Sequence, residues 1–246
     1  MPDVQFDEVL GRTDDNRTKV DMLIYGRSGA GKTFRAATAP GPYVMSPDPT
    51  GHKSIPYPIG GKLIKRIQDA NDVLDRFEQG YYEGKVETLI VDGVSFFYHM
   101  WEREMGEYYM QYRGAKDPDQ LPIDARGKIN KRFREFLTRC VNLTQIDPPE
   151  RRVHVICTTL EERLKESDEA PFSIRPLFGS QNMNLNYPAL FTVISYIFPV
   201  GEDSEGNPSK QRSMIFTEYR KVLARDRLGI FPELCSEAPN LEEYLS

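Results

Sequence analysis

Residues 26–33, Gly-Arg-Ser-Gly-Ala-Gly-Lys-Thr, are the stretch of this sequence that decides the fold. They fit the phosphate-binding loop pattern G-x-x-x-x-G-K-[ST] at every required position. Gly26, Gly29 and Gly31 allow the backbone to curl, so that successive N–H groups point at one phosphate without a Cβ in the way. The stretch therefore predicts a site for a nucleoside triphosphate.

The side chains of the same loop predict how that ligand is held. Lys32 is expected to reach the β- and γ-phosphates, and Thr33 to offer its hydroxyl to Mg²⁺. Residues 20–25 form an apolar run typical of a buried strand, and residues 32–39 predict a helix that Pro40 stops. The predicted nucleotide contacts are Gly26, Arg27, Ser28, Gly29, Ala30, Gly31, Lys32, Thr33 and Phe34, with Thr158 and Thr159 from a later strand.

A second informative element is the run 88–92, Thr-Leu-Ile-Val-Asp. An apolar strand that delivers an acid at its carboxyl end predicts a second Mg²⁺ ligand, Asp92. The next residue is Gly93, so this strand lacks a neighbouring acid that could activate water. Asp48, after a predicted strand at 42–46, is the candidate base, and a turn-forming role for the same residue stays open.

The remaining segments predict an α/β fold with a central, mostly parallel sheet flanked by helices and a C-terminal β-hairpin. Helices are expected at 94–112 and 123–146, and strands at 152–159, 192–198 and 213–217, with a hairpin-like loop at 201–210. The strand at 152–159 ends in Thr158 and Thr159, which are candidates to sense the γ-phosphate. The polar segment 161–175 predicts a loop. We expect a flexible lead at 1–18 and one domain over 19–246.

Composition excludes several classes of protein. The net charge is −5, which argues against a protein whose whole surface coats nucleic acid. The three cysteines and three histidines are too widely spaced for a disulfide framework or a zinc site. The sequence has neither a secretory leader nor an apolar run of about 20 residues, so we expect no membrane association and a cytoplasmic location.

One stretch is locally basic. Residues 113–134 contain seven basic residues and three acidic ones, and tyrosines precede them. Such a surface can contact phosphates while aromatic rings stack on bases, although a solvated helix face is the alternative. The candidate DNA-binding residues are Tyr109, Tyr112, Arg113, Lys116, Arg126 and Lys128.

The order of these motifs, from the loop at 26–33 through Leu-Ile-Val-Asp-Gly at 89–93 to the stretch 221–229, resembles the RecA/RadA-like ATPases. In particular, it looks like their single-domain bacteriophage relatives, which act with single-stranded DNA in recombination. The resemblance implies a RecA-like core, hydrolysis of ATP with Mg²⁺, and, for a phage-encoded chain, the cytoplasm of a bacterial host. It also implies that the loops at 109–122 and 161–181 face DNA.

The resemblance further implies roles for three residues outside the loop. Asp48 lies near where the family has its catalytic glutamate, although Ser-Pro-Asp-Pro-Thr-Gly at 46–51 departs from the family's pattern. Arg225 and Arg227 match a basic-x-basic element that reaches the nucleotide of an adjacent subunit. This would make the protein a homo-oligomer, assembled head to tail as a ring or a filament.

The sequence leaves three functions open. The first is an ATPase whose nucleotide state controls assembly and single-stranded DNA binding. The second is a DNA-annealing or scaffolding protein that binds ATP with little turnover. The third is a P-loop kinase, for which no acceptor site or basic lid is evident.

Overall fold

The computed structural model of the protein describes residues 19–113, 121–164, 172–201 and 209–246. Within those ranges the chain forms a ten-stranded sheet in the order β10-β8-β7-β1-β5-β4-β2-β3, with β6 paired to β5 and β9 paired to β7. The strands are β1 (Asp21–Gly26), β2 (Pro42–Ser46), β3 (Gly60–Leu63), β4 (Thr88–Val91), β5 (His154–Leu164), β6 (Ser173–Pro176), β7 (Val193–Pro199), β8 (Arg212–Ile215), β9 (Arg225–Asp226) and β10 (Leu234–Cys235).

The centre of the sheet is parallel. Strands β3, β2, β4, β5, β1 and β7 run in one direction, whereas β8 and β10 continue the sheet as antiparallel strands. Strands β1 and β4 are buried along their whole length, as expected for parallel strands covered on both faces. The predicted fold class, including the C-terminal hairpin, is confirmed.

Helices cover both faces of the sheet. They are α1 (Lys32–Ala36), α2 (Ile67–Glu78), α3 (Val94–Arg113), α4 (Ile123–Asn142), α5 (Gln181–Asn186) and α6 (Glu242–Leu245). One apolar core holds the buried faces of α2, α3 and α4, with Phe97, Phe133 and Phe136 packed against each other. A second core on the opposite face holds residues of α1 and the C-terminal segment.

Helices α3 and α4 form an antiparallel pair that extends past the carboxyl edge of the sheet. Glu104, halfway along α3, accepts a hydrogen bond from the amide of Ile67, just after the carboxyl end of β3. Near the end of α4, Arg139 forms ion pairs with Asp75 and Glu78 at the other end of α2. The last turns of α3 and the first turns of α4 therefore lie beyond the edge where the phosphate-binding loop begins.

Several predicted boundaries need correction. Helix α1 ends at Ala36 rather than at residue 39, because Thr38 and Ala39 form tighter i to i+3 turns. Helix α4 ends at Asn142 rather than at residue 146. The loop predicted over 161–175 is wrong, since β5 continues to Leu164 and pairs with β6. Pairing across a turn stabilises these polar strands, and the pattern of residues within either strand does not indicate it.

Some predictions fall outside the described residues, namely the lead at 1–18, the candidate Lys116, and the centres of the loops at 114–120, 165–171 and 202–208. Among the described helices, none has the length and apolar character needed to cross a bilayer.

Candidate functional site

The phosphate-binding loop leaves β1 at the carboxyl edge of the sheet and leads into α1. Gly29 and Gly31 have φ angles of 74° and 88°, which L-residues with side chains rarely adopt. Gly26 is required for another reason: a Cβ there would lie 2.3 Å from the carbonyl oxygen of Ile197 on β7. The three glycines therefore allow the loop conformation that their pattern predicts.

Lys32 points into this loop. Its Nζ donates hydrogen bonds to the carbonyl oxygens of Gly26 at 3.0 Å and Arg27 at 2.7 Å. Burial lowers the pKa of Lys32 to about 8, while the carboxylates of Asp92 and Glu161 act in the opposite direction. A half-buried ammonium whose direct partners are neutral carbonyl oxygens is suited to binding an anion.

Asp92 is the centre of a hydrogen-bond network that joins the loop to three strands. Its Oδ1 accepts bonds from the hydroxyls of Thr33 and Thr158, both at 2.7 Å, and its Oδ2 accepts one from Ser46 at 3.2 Å. The side chain is buried, with 5% of the residue exposed. Strands β4, β5 and β2 therefore present these oxygens at one point beside α1.

This oxygen set fits Mg²⁺. Magnesium is held in nucleotide sites by one or two protein oxygens, with phosphate oxygens and water completing the shell. Thr33 Oγ1 and Asp92 Oδ1 lie 2.7 Å apart, close to the spacing of two oxygens on one small cation. No cluster of three or more histidine, cysteine or acidic side chains suited to a metal occurs in the described parts of the chain.

A cleft of about 300 Å³ opens beside this network. Asp48 lies on its wall, and its Oδ1 accepts hydrogen bonds from the amide and hydroxyl of Thr50. Its Oδ2 and that of Asp92 both lie within 3.5 Å of where a Cβ on Gly51 would stand. The predicted base and the predicted metal ligand thus border the same cleft, which is lined by Ser28, Gly29, Gly31, Lys32, Thr33, Asp48, Thr50, Gly51, Ser54, Asp92, Gly93, Ser95, Phe96, Thr158, Thr159 and Leu160.

The two predicted phosphate sensors have other partners. Thr158 donates to Asp92 and accepts the amide of Gly93 at 2.9 Å, so its hydroxyl holds the metal ligand in place. Thr159 donates its hydroxyl to the carbonyl oxygen of Leu177. In this structure both hydroxyls donate to oxygens of the protein, although both residues line the cleft.

The remaining predicted contacts of the loop differ in exposure. Ser28 is exposed and lines the cleft, whereas Ala30 is buried. Phe34 is half-buried on α1, and the guanidinium of Arg35 lies 5.3 Å from its ring centre.

Arg27 and the β5–β6 hairpin meet at Glu161, a residue that the sequence analysis did not assign to the site. The Glu161 carboxylate accepts bonds from Arg27 at 3.2 Å, from Arg163 at 3.0 Å and from the hydroxyl of Tyr196 at 2.8 Å. Its side chain is 8% exposed. Three segments distant in sequence, around Arg27, Glu161 and Tyr196, therefore meet at one buried carboxylate, which no local motif could have indicated.

Arg212, the first residue of β8, is a second residue that the sequence analysis missed. Its guanidinium donates to the loop carbonyl oxygens of Ala30 at 3.1 Å and Gly29 at 3.4 Å. It also donates to the carbonyl oxygens of Ser209 and Gln211 in its own hairpin. Arg212 thus contacts the outer side of the loop from a hairpin about 180 residues further along the chain.

Arg225 and Arg227 lie away from the cleft of their own chain. Strand β9 pairs with Val193 and Ile194 near the amino end of β7, at the opposite edge of the sheet. Arg225 is half-buried and donates to the carbonyl oxygens of Pro188 at 2.6 Å and Phe191 at 2.7 Å. Arg227 is exposed. Arg225 therefore has partners within its own chain, and only the side chain of Arg227 faces solvent.

The described DNA-binding candidates lie together at the projecting end of α3 and α4. Tyr109 donates its hydroxyl to Asp124, which lies 3.8 Å from Lys128 Nζ. Tyr112 is 64% exposed, and Arg113 and Arg126 are exposed as well. Tyr108 and Ile123 at the same end are exposed apolar residues. The structure brings five of the six candidates to one end of the helix pair, and the sixth, Lys116, lies outside the described residues.

Two comparisons with known proteins bear on this arrangement. The model of the AAA domain family matches residues 18–228, which is most of the chain and includes the loop, Asp92, Glu161 and Arg212. No curated protein matches the chain.

We expect the Asp92 network to be sensitive to the hydroxyl of Thr158. Thr158→Val keeps the shape of a fully buried side chain but leaves the Gly93 amide without its acceptor and removes one donor from Asp92. The free energy of unfolding in urea should fall by about 1–3 kcal/mol. Thr158→Ser, which keeps the hydroxyl, should stay closer to wild type, and equal losses in both variants would contradict this role.

Proposed function

This chain belongs to the AAA domain family, and on that premise we propose that it binds ATP with Mg²⁺ in the cleft beside the loop and hydrolyses it. The contact between Thr33 and Asp92 carries the proposal, because it joins the two elements that the chemistry of phosphoryl transfer requires. Thr33 and Asp92 would hold Mg²⁺, and the bound ion would neutralise negative charge on the β- and γ-phosphates.

The residues of the chain have separate tasks in this reaction. Without nucleotide, Lys32 donates hydrogen bonds to two carbonyl oxygens. When ATP binds, Lys32 donates to phosphate oxygens instead, and these are stronger acceptors for an ammonium group. Asp48 borders the same cleft and accepts the proton of the attacking water at its Oδ2. Ser46 and Thr158 keep Asp92 oriented between them.

A protein that binds ATP with little turnover is the second candidate, and one observation favours it. Both hydrogen bonds that Asp48 Oδ1 accepts come from Thr50, two residues along the chain, and this is the contact of a turn-forming aspartate rather than of a base. The two candidates share the binding site and differ only in the rate of hydrolysis.

We expect Lys32→Ala and Asp92→Asn to lower ATP turnover by roughly 10²- to 10³-fold, because each removes an interaction with charge on the transferring phosphoryl group. Asp48→Asn should retain ATP affinity and lose turnover. The measurements are steady-state phosphate release and calorimetric ATP titration, with the exposed Lys65→Ala as the matched control. Wild-type turnover in a folded Lys32→Ala variant would overturn the ATPase proposal, whereas tight binding by a wild-type protein without turnover would favour the second candidate.

We further propose that the projecting end of α3 and α4 binds single-stranded DNA. Exposed tyrosines provide stacking surfaces, and Arg113, Arg126 and Lys128 provide charges for the phosphates. This surface is beyond the carboxyl edge of the sheet, the edge that also holds the cleft, so DNA contacts and nucleotide contacts involve the same end of the molecule.

The β5–β6 hairpin supports the same proposal. Phe172 of the hairpin and Tyr219, from the segment between β8 and β9, line one pocket, and each is 52% exposed. The guanidinium of Arg220 lies 5.2 Å from the ring centre of Tyr219. The hairpin is acidic in sequence, but Glu161 is buried among its three donors, and Glu162 accepts a hydrogen bond from Asn184. The charge of Glu161 is therefore balanced by two arginines inside the protein.

Neutralising Arg113, Arg126 and Lys128 together should weaken binding of a single-stranded oligonucleotide and flatten its dependence on salt. Each lost phosphate contact lowers the slope of log K against log salt by about 0.7, so the slope should fall by about 2. Fluorescence anisotropy across a salt series measures it. A control variant that neutralises the exposed Lys53, Lys65 and Lys85 changes the net charge equally, and an equal effect in both variants would refute a local surface.

A head-to-tail homo-oligomer is the third part of the proposal. The cleft is at the carboxyl edge of the sheet and Arg227 is exposed near the amino edge, beside the start of β7. Stacking the amino edge of one subunit on the carboxyl edge of the next would bring an arginine to a nucleotide, and such contacts close into a ring or continue as a filament. Arg225 supports the fold around Pro188 and Phe191 instead.

Arg227→Ala should lower turnover by about 10³-fold or more without loss of stability, and activity should return when it is mixed with Lys32→Ala protein. In mixed assemblies the intact Lys32 of one subunit meets the intact Arg227 of another. Arg225→Ala should instead lower the free energy of unfolding by about 1–3 kcal/mol, since two carbonyl groups lose their donor. Full activity of Arg227→Ala, with turnover independent of protein concentration, would exclude this assembly.

A further inference from the structure

We propose that Arg212 is a positioning residue for the phosphate-binding loop, which it holds from the outer side in the conformation that receives a diphosphate group. The inference rests on the proposed nucleotide binding and adds a residue that neither the loop pattern nor the family match indicates. It assigns a task to the β7–β8 hairpin, whose turn follows β7 at the same edge of the sheet.

The contacts of Arg212 are with the backbone of the loop rather than with its side chains. Nε donates to Ala30 O at 3.1 Å and Nη2 to Gly29 O at 3.4 Å. The stem of the side chain passes the loop as well, since Arg212 Cγ is 4.0 Å from where a Cβ on Gly31 would stand. A planar guanidinium with five donors can hold two such carbonyl groups and two hairpin carbonyl groups at once.

Ala30 O belongs to a peptide unit of the anion nest, because that peptide carries the N–H of Gly31. The peptide that ends in Gly29 O carries the N–H of Ala30, which donates to Arg27 O at 3.2 Å and so fixes the turn that begins the loop. When N–H groups point inward at a phosphate, the carbonyl groups of the same peptides point outward. A charged donor on the outer oxygen polarises the peptide, and this strengthens the inner N–H as a donor.

The same contacts explain how a glycine-rich loop keeps one conformation. Gly29 and Gly31 make the loop possible, but glycine also allows many other backbone conformations, so the ordered loop has an entropic cost. Arg212 anchors the loop to Ser209 and Gln211 of the hairpin through the other side of its guanidinium. We therefore expect Arg212 to reduce the motion of the loop before any nucleotide binds.

The experiment compares full-length wild type, Arg212→Ala and Arg212→Lys, with Lys210→Ala as a matched control. Lys210 is an exposed cation of the same hairpin, so its removal changes net charge equally. Amide hydrogen exchange at residues 29–31 is measured without nucleotide, and ADP and ATP affinities are measured by calorimetry. Thermal unfolding of each variant without nucleotide separates loss of the loop contact from loss of the fold.

Arg212→Ala should raise exchange at residues 29–31 and weaken ADP and ATP equally, each by about tenfold, because the nest contacts the diphosphate that they share. Arg212→Lys should recover part of both effects, and Lys210→Ala should show neither. Unchanged exchange in Arg212→Ala, or an equal effect in Lys210→Ala, would overturn the role of Arg212. A wild-type protein that binds neither nucleotide would refute the proposed function, and the exchange measurement would then decide the role of Arg212 by itself.

Discussion

The hydrogen bond between the Thr33 hydroxyl and Asp92 Oδ1 is the interaction on which the rest of this structure depends. The two residues follow β1 and β4, which are not neighbours in the sheet, because β5 lies between them. Thr158, near the middle of β5, donates to the same carboxylate oxygen and so links the two strands. The parallel order of three strands is therefore what brings a loop hydroxyl and a distant acid to one point, and helices on both faces keep that order.

Burial gives this site its electrostatic character. Lys32 is desolvated enough that its pKa falls to about 8, although two carboxylates favour its charged form. Without a ligand, partial removal of water from the charged ammonium group costs free energy. A bound polyphosphate offsets this cost, because its charged oxygens accept hydrogen bonds from the lysine. The carboxylate of Glu161, by contrast, already has charged and polar partners inside the protein, namely two arginines and a tyrosine.

The sequence predicted the parts of this account that depend on local chemistry. The glycines, Lys32 and Thr33 follow from a motif, and Asp92 follows from an apolar strand that ends in an acid. The hairpin of β5 and β6 was predicted as a loop because its polar residues form strands only through pairing across a turn. Glu161 and Arg212 were missed for a related reason. Their roles come from contacts over 130 residues or more, and neither has a characteristic neighbour in the chain.

Calorimetric titration of ATP into the wild-type protein, with Mg²⁺ and with a chelator, tests the central claim most directly. Binding of one ATP per chain that is strengthened by Mg²⁺, and that loses this strengthening in Thr33→Val, would agree with a metal held between Thr33 and Asp92. Binding that is absent under both conditions, or that is identical with and without Mg²⁺, would contradict it.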